Sequence, residues 1–145
     1  MPGSLFLYPA YLSAMQEPFI PQGYQRCMPY LMLPDAAGFF SFMETVFGAT
    51  EKMRHLTPEG ALMHGELQVG DSTFMYSEST PEWGAQAGGF YIHVMDADAT
   101  YAKALETGCS SIMPPVDQSY GRSGGVKDPF GNTWWITTTQ PAGGQ

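Results

Sequence analysis

The chain has 145 residues, a single domain's length, of which 43% are apolar, 14% aromatic and 14% charged. Such a composition supports a packed core and excludes a chain that is disordered, collagenous or coiled-coil throughout. Six Lys and Arg against fourteen Asp and Glu leave a net charge of −8; most of the surface therefore repels phosphate backbones, and no nucleic-acid partner is expected.

Residues 1–25 carry Pro2, Pro9, Pro18 and Pro21 with five aromatics and no regular period, which predicts an irregular N-terminal extension. The apolar run from Leu5 to Met15 is broken by Pro9 and has no basic start. It is also shorter than the ~20 residues of a spanning helix, so neither a signal peptide nor a membrane segment is expected. Cys27 and Cys109 show no CxxC spacing; neither a disulfide framework nor a structural zinc site is indicated, and a reducing cytoplasm is the expected location.

Pro29 to Leu33 reads as a strand. Asp35 then stands where a helix N-cap belongs. Phe39/Phe40, Met43 and Val46/Phe47 recur at helical spacing before the terminating Gly48. Strands are predicted over about 51–57, 61–69 and 73–78, with turns at Thr57-Pro58-Glu59-Gly60 and Gly70-Asp71. The order then repeats: strand Phe90 to Met95, N-cap Asp96, a helix to Thr107, Gly108, and strands near 110–113, 120–127 and 133–139. The reading is one domain over 26–140, with module one about 29–79, module two about 89–139 and a tail at 141–145. A single offset of 61 aligns Tyr30 with Tyr91, Asp35 with Asp96, Gly60 with Gly121 and Gly70 with Gly131. The fold class is α+β, built from two tandem βαβββ modules.

PYLMLPDAAGFFSFMETVFGA, MHGELQVGDSTFMYSE, VMDADATYAKALETG and GRSGGVKDPFGNTWWITT, in this order, resemble the vicinal oxygen chelate superfamily, which includes glyoxalases, bleomycin-resistance proteins and dioxygenases. The PhnB-like branch is the most similar. The resemblance implies a curved mixed sheet in which each module forms half of a ligand cup, and it implies a homodimer. Metal-using relatives place ligands at the start of each module's first strand and in its last strand. By that pattern the positions here are Met28, Gly89, Phe74 and Trp135. A thioether, a hydrogen and two aromatic rings are not ligands for a hard cation, so no cofactor is expected.

Strand alternation predicts what lines the cup instead. With Leu31, Leu33, Ile92 and Val94 under the helices, Met28, Tyr30, Met32, Tyr91 and His93 face the cavity. His64, Glu66 and Gln68 follow by the same alternation, and the last strands are expected to add Phe74, Tyr76, Trp135 and Thr137. The resemblance places Arg122, with Tyr120, in a loop near the cup's mouth, where a guanidinium could meet an anionic ligand group. Asp35, Asp96 and Asp128 are read as caps and a turn residue, and His55 is given no role.

The leading expectation is a metal-free protein that binds a small aromatic or cationic molecule in this cup. Two alternatives stand beside it. One is an enzyme, a lyase, dioxygenase or transferase, in which His64, Glu66 and His93 act as a displaced divalent-metal set or as an acid–base group. The other is a structural dimer with a vestigial cavity.

Overall fold

A computed structural model describes residues 17–140; the greater part of the predicted N-terminal extension, residues 1–16, and the tail at 141–145 lie outside the described residues. Ten elements follow in chain order: β1 Tyr30–Leu33, α1 Ala36–Phe47, β2 Thr50–Leu56, β3 Leu62–Val69, β4 Ser72–Glu78, β5 Gly89–His93, α2 Ala97–Glu106, β6 Ser110–Gln118, β7 Gly121–Lys127 and β8 Thr133–Thr138. The βαβββ order occurs twice.

Both helices begin where the capping carboxylates fall. Asp35 accepts a hydrogen bond from the Gly38 N–H at 3.0 Å, and Asp96 accepts one from Ala99 at 3.1 Å. Gly48 ends α1 in the left-handed conformation at φ 70°, which costs an ordinary side chain more than glycine. Phe39, Phe42, Met43 and Val46 form the buried stripe of α1.

The strands make two separate four-stranded mixed sheets, ordered β1-β4-β3-β2 and β5-β8-β7-β6. In each, the first strand of the module lies parallel to its last strand, and the other pairings are antiparallel. Both sheets bury one face in a common core. Trp134 of β8, fully buried, touches Phe42 and Phe47 of α1, Phe74 of β4 and Phe90 of β5. One indole thus joins the modules, and the opposite face of each sheet stays free.

β6 runs well past the predicted 110–113 to Gln118, through Pro114 and Pro115. It is an edge strand, and its register skips between Met113 and Val116, so the two missing N–H groups interrupt no ladder bond. The loop before β8 is locked by Asp128. Its carboxylate accepts from the backbone N–H groups of Phe130 and Asn132, from Asn132 Nδ2 and from Trp134 Nε1, all at 2.8–3.0 Å.

The single offset of 61 does not hold in the last strands. Parallel pairing sets Tyr30 beside Met75 but Tyr91 beside Trp135, so the spacing shrinks to 60 there. The loss lies before β7: Glu66 and Gly125, the cross-strand partners of Met75 and Trp135, are 59 apart, and the longer β7–β8 hairpin, closing around 128–132 where β3 and β4 close around Gly70-Asp71, restores one residue.

Candidate functional site

The free face of the first sheet carries a hydrogen-bonded chain of side chains. His64 and Glu66 lie two residues apart on β3, and Tyr30 reaches them from β1. Tyr30 Oη is 3.0 Å from His64 Nδ1, and His64 Nε2 is 2.8 Å from Glu66 Oε2. The other carboxylate oxygen accepts from the Tyr24 hydroxyl at 2.5 Å. Glu66 is only 3% exposed, and burial opposes its ionisation. The bonds from Tyr24 and His64, with the charges of His64 and Lys52, outweigh that burial and hold the carboxyl below its ordinary range.

An ionised Glu66 fixes one proton position. A carboxylate only accepts, so Nε2 of His64 carries a proton and donates to Glu66; in the tautomer protonated at Nε2 alone, Nδ1 accepts from the Tyr30 hydroxyl. Tyr24 donates to Glu66, and that hydrogen bond raises its own pKa above the usual tyrosine value. Lys52 lies 3.8 Å from the centre of the Tyr24 ring and bonds the Gly23 carbonyl at 2.7 Å. Gln25 bonds the backbone of Thr73. Residues 23–25 are therefore tied to the first sheet, a role for Tyr24 that no periodicity signals.

Two hollows flank the chain. One, about 440 Å³, is lined by Tyr24, Met28, Glu66 and Met75, among others. The second, about 560 Å³, is lined by Tyr30, Met32, Met63, Ser77 and Trp83, among others. Tyr30 is 43% exposed, and Trp83, which strand alternation did not single out, is more exposed still.

On the second sheet, Tyr91, His93 and Trp135 stand on the free face, as alternation requires. Tyr91 packs against His93 with ring centroids 5.2 Å apart. Trp135 lies across β7, and a Cβ built on Gly125 would fall 2.4 Å from its ring. His93 does not join His64 and Glu66. It lines a cleft with Phe74, Phe90, Ile92 and Trp134, and among the described residues no three His, Cys, Asp or Glu side chains converge.

Three expected cup residues stand elsewhere. Phe74 and Tyr76 are buried on the helix side; Phe74 pairs across the sheet with Leu67, and Tyr76 packs edge-on against Phe39. Cross-strand partners share a face, so Thr73, Met75 and Ser77 are the free-face residues of β4. A two-residue turn at Gly70-Asp71 pairs Val69 with Ser72 and Leu67 with Phe74, so counting back from that turn reveals the placement. Arg122 is the third. It shares a face with Val126, and its guanidinium bonds Asp98 of α2 at 2.6 and 3.1 Å and Asp117 of β6 at 3.0 Å. It braces α2 to the β6–β7 hairpin, and those carboxylates push its pKa up.

The metal-ligand positions implied by the resemblance now read Met28, Gly89, Met75 and Trp135, with Met75 in place of Phe74. Two thioethers, a hydrogen and an indole do not fit a hard divalent cation.

Residues 25–136 match the Glyoxalase/Bleomycin resistance protein/Dioxygenase superfamily. The chain belongs to that superfamily. It is 31% identical over 118 residues to an uncharacterised protein of Mycobacterium bovis, covering 73% of this chain and 78% of that one. Its fold is similar to that of a PhnB protein from Bacillus cereus, with TM-score 0.63, 17% identity and coverage of 79% and 100%. TnmS3, an antibiotic binding protein from Streptomyces sp. CB03234, is similar at TM-score 0.64 and 17% identity, with coverage of 86% and 100%. Among the described residues no helix is long and apolar enough to cross a membrane.

Proposed function

We propose that this superfamily member binds a small aromatic or cationic molecule on the free faces of its sheets, without a metal. The carrying observation is that each free face is aromatic and open: Tyr30 and Trp83 on the first, Tyr91 and Trp135 on the second, between 37% and 65% exposed. Aromatic faces with a few placed polar groups suit a flat organic ligand, and hollows of about 440 and 560 Å³ fall within the size of small-molecule sites. The net charge of −8 favours a cationic ligand at long range and opposes nucleic acid. That TnmS3 is described as antibiotic binding adds support.

The two free faces belong to different sheets, and a second copy that sets its second sheet against the first sheet of this one closes a cup between them. A homodimer in the cytoplasm is the assembly proposed. A thermal-shift panel of planar cationic and neutral aromatic compounds tests the reading. A binder at 100 times its Kd stabilises the native state by about 2.7 kcal/mol. Stabilisation that survives exhaustive chelation and is lost in Trp135→Ala and Tyr30→Ala supports it; no stabilisation by any compound, or strict dependence on a divalent metal, overturns it.

A further inference from the structure

We infer that the Tyr30–His64–Glu66 chain is a proton-accepting site for a ligand bearing an acidic hydroxyl, a phenol or enol, which the protein holds as its oxyanion. This rests on the small-molecule reading above and names the chemistry of the ligand group. In the His64 tautomer that carries its proton on Nε2 and donates to Glu66, Nδ1 accepts from Tyr30 at 3.0 Å, and the Tyr30 oxygen then offers the exposed face only lone pairs. The free end of the chain therefore selects a hydrogen-bond donor. Behind it, His64 Nε2–H is held at 2.8 Å by a carboxylate whose side chain is 4% exposed. Both oxygens of that carboxylate are occupied, one by His64 and one by Tyr24. Glu66 is buried while Tyr30 is 43% exposed, so Tyr30 is the point of contact.

The transfer balances. The ligand O–H bond breaks and its proton forms a new O–H bond on Tyr30, while the proton of Tyr30 passes to His64 Nδ1. The ligand keeps the electron pair as an oxyanion, and His64 becomes an imidazolium. The Nε2 proton stays in place, now in a charge-assisted bond to Glu66. The net charge of the group is unchanged, because a neutral ligand beside a neutral ring becomes an anion beside a cation.

The remaining charged and titratable groups on this face are few. Lys52 of β2 is engaged with the Gly23 carbonyl and the Tyr24 ring, and Arg26 pairs with Glu17. His55 of β2 stands opposite His64 and is exposed. β4 contributes Met75 and Ser77, neither of which titrates in this range.

4-Nitrophenol reports its own ionisation by colour, and 4-nitroanisole is the same ring without the acidic proton. With the full chain, at a pH one unit below the probe's own pKa, binding is expected to raise the ionised fraction of 4-nitrophenol by several-fold, up to about tenfold. Quenching of tryptophan fluorescence measures the binding of both probes. Tyr30→Phe and His64→Gln are expected to bind 4-nitrophenol in its neutral form, Glu66→Gln to lower the ionised fraction several-fold, and His55→Gln to behave as the parent. Circular dichroism checks that each variant is folded; if His64→Gln is not, Tyr30→Phe, which removes one exposed hydroxyl, decides. A bound probe that keeps its neutral spectrum, or an ionised band that persists in Tyr30→Phe, overturns this inference and leaves small-molecule binding intact. Failure of both probes to bind, with no stabilisation across the aromatic panel, overturns both.

Discussion

Glu66 keeps a negative charge in a place with almost no water because Tyr24 and His64 replace the hydrogen bonds it gives up. Burial alone would raise its pKa; the donors and nearby positive charge lower it. A depressed carboxyl pKa stabilises the fold at any pH above the unfolded value of about 4.3, and that contribution is lost as the pH falls through the lower, folded value. Urea midpoints measured from neutral pH downward are expected to fall more steeply in the parent than in Glu66→Gln, with the two curves converging in acid. Parallel curves would show that the carboxylate is not tied to folding. Other buried groups respond oppositely, since burial drives the Tyr76 hydroxyl and the Cys109 thiol up to about 12. Cys109 is thus a packed, unreactive thiol.

Strands β7 and β8 show how an element shapes the free face. Gly125 has ordinary backbone angles; glycine is needed there because the ring of Trp135 lies on its bare Cα. Gly65 does the same for Tyr76 on the buried side of β3. Gly125→Ala forces the indole off β7 and is expected to cost about 1–3 kcal/mol, as overpacking does. Chemical denaturation of the single variants and of Gly125→Ala/Trp135→Ala checks it: once the indole is gone, the added methyl is expected to be almost free. An undiminished cost in the double variant would place the strain in the backbone instead.

At the scale of the molecule, two similar modules are expected to behave as one folding unit, because α1 of the first and β8 of the second share a core. Trp134 is its hub, fully buried among Phe42, Phe47, Phe74 and Phe90. Trp134→Ala is expected to destabilise the chain by about 3–5 kcal/mol and to loosen both modules together. Hydrogen exchange in β3 and in β7 reads this directly; loss of protection in the second module alone would mean that the two cores are independent. The shared core consumes one face of each sheet, which leaves only the other face for the ligand proposed above.

Much of the architecture was legible in the chain because it rests on local rules. Asp35 and Asp96 cap helices wherever they occur before an apolar stripe, Gly48 ends a helix without steric cost, and alternation in β1, β3 and β5 separates Leu31, Leu67 and Ile92 from Tyr30, His64 and Tyr91. The same period-two rule misplaced Phe74 and Tyr76, because alternation fixes which residues share a face and not which face meets the helices; that depends on hairpin length and cross-strand register. Tyr24 was illegible for a different reason. Its partner Glu66 lies 42 residues away, and a contact of that range has no local period. Sequence alone thus determined the elements and their caps. Only the tertiary structure decided that His93 stays apart from His64, and that Tyr30, His64, Glu66 and Tyr24 meet, because such meetings are set by how strands far apart in the chain are laid side by side.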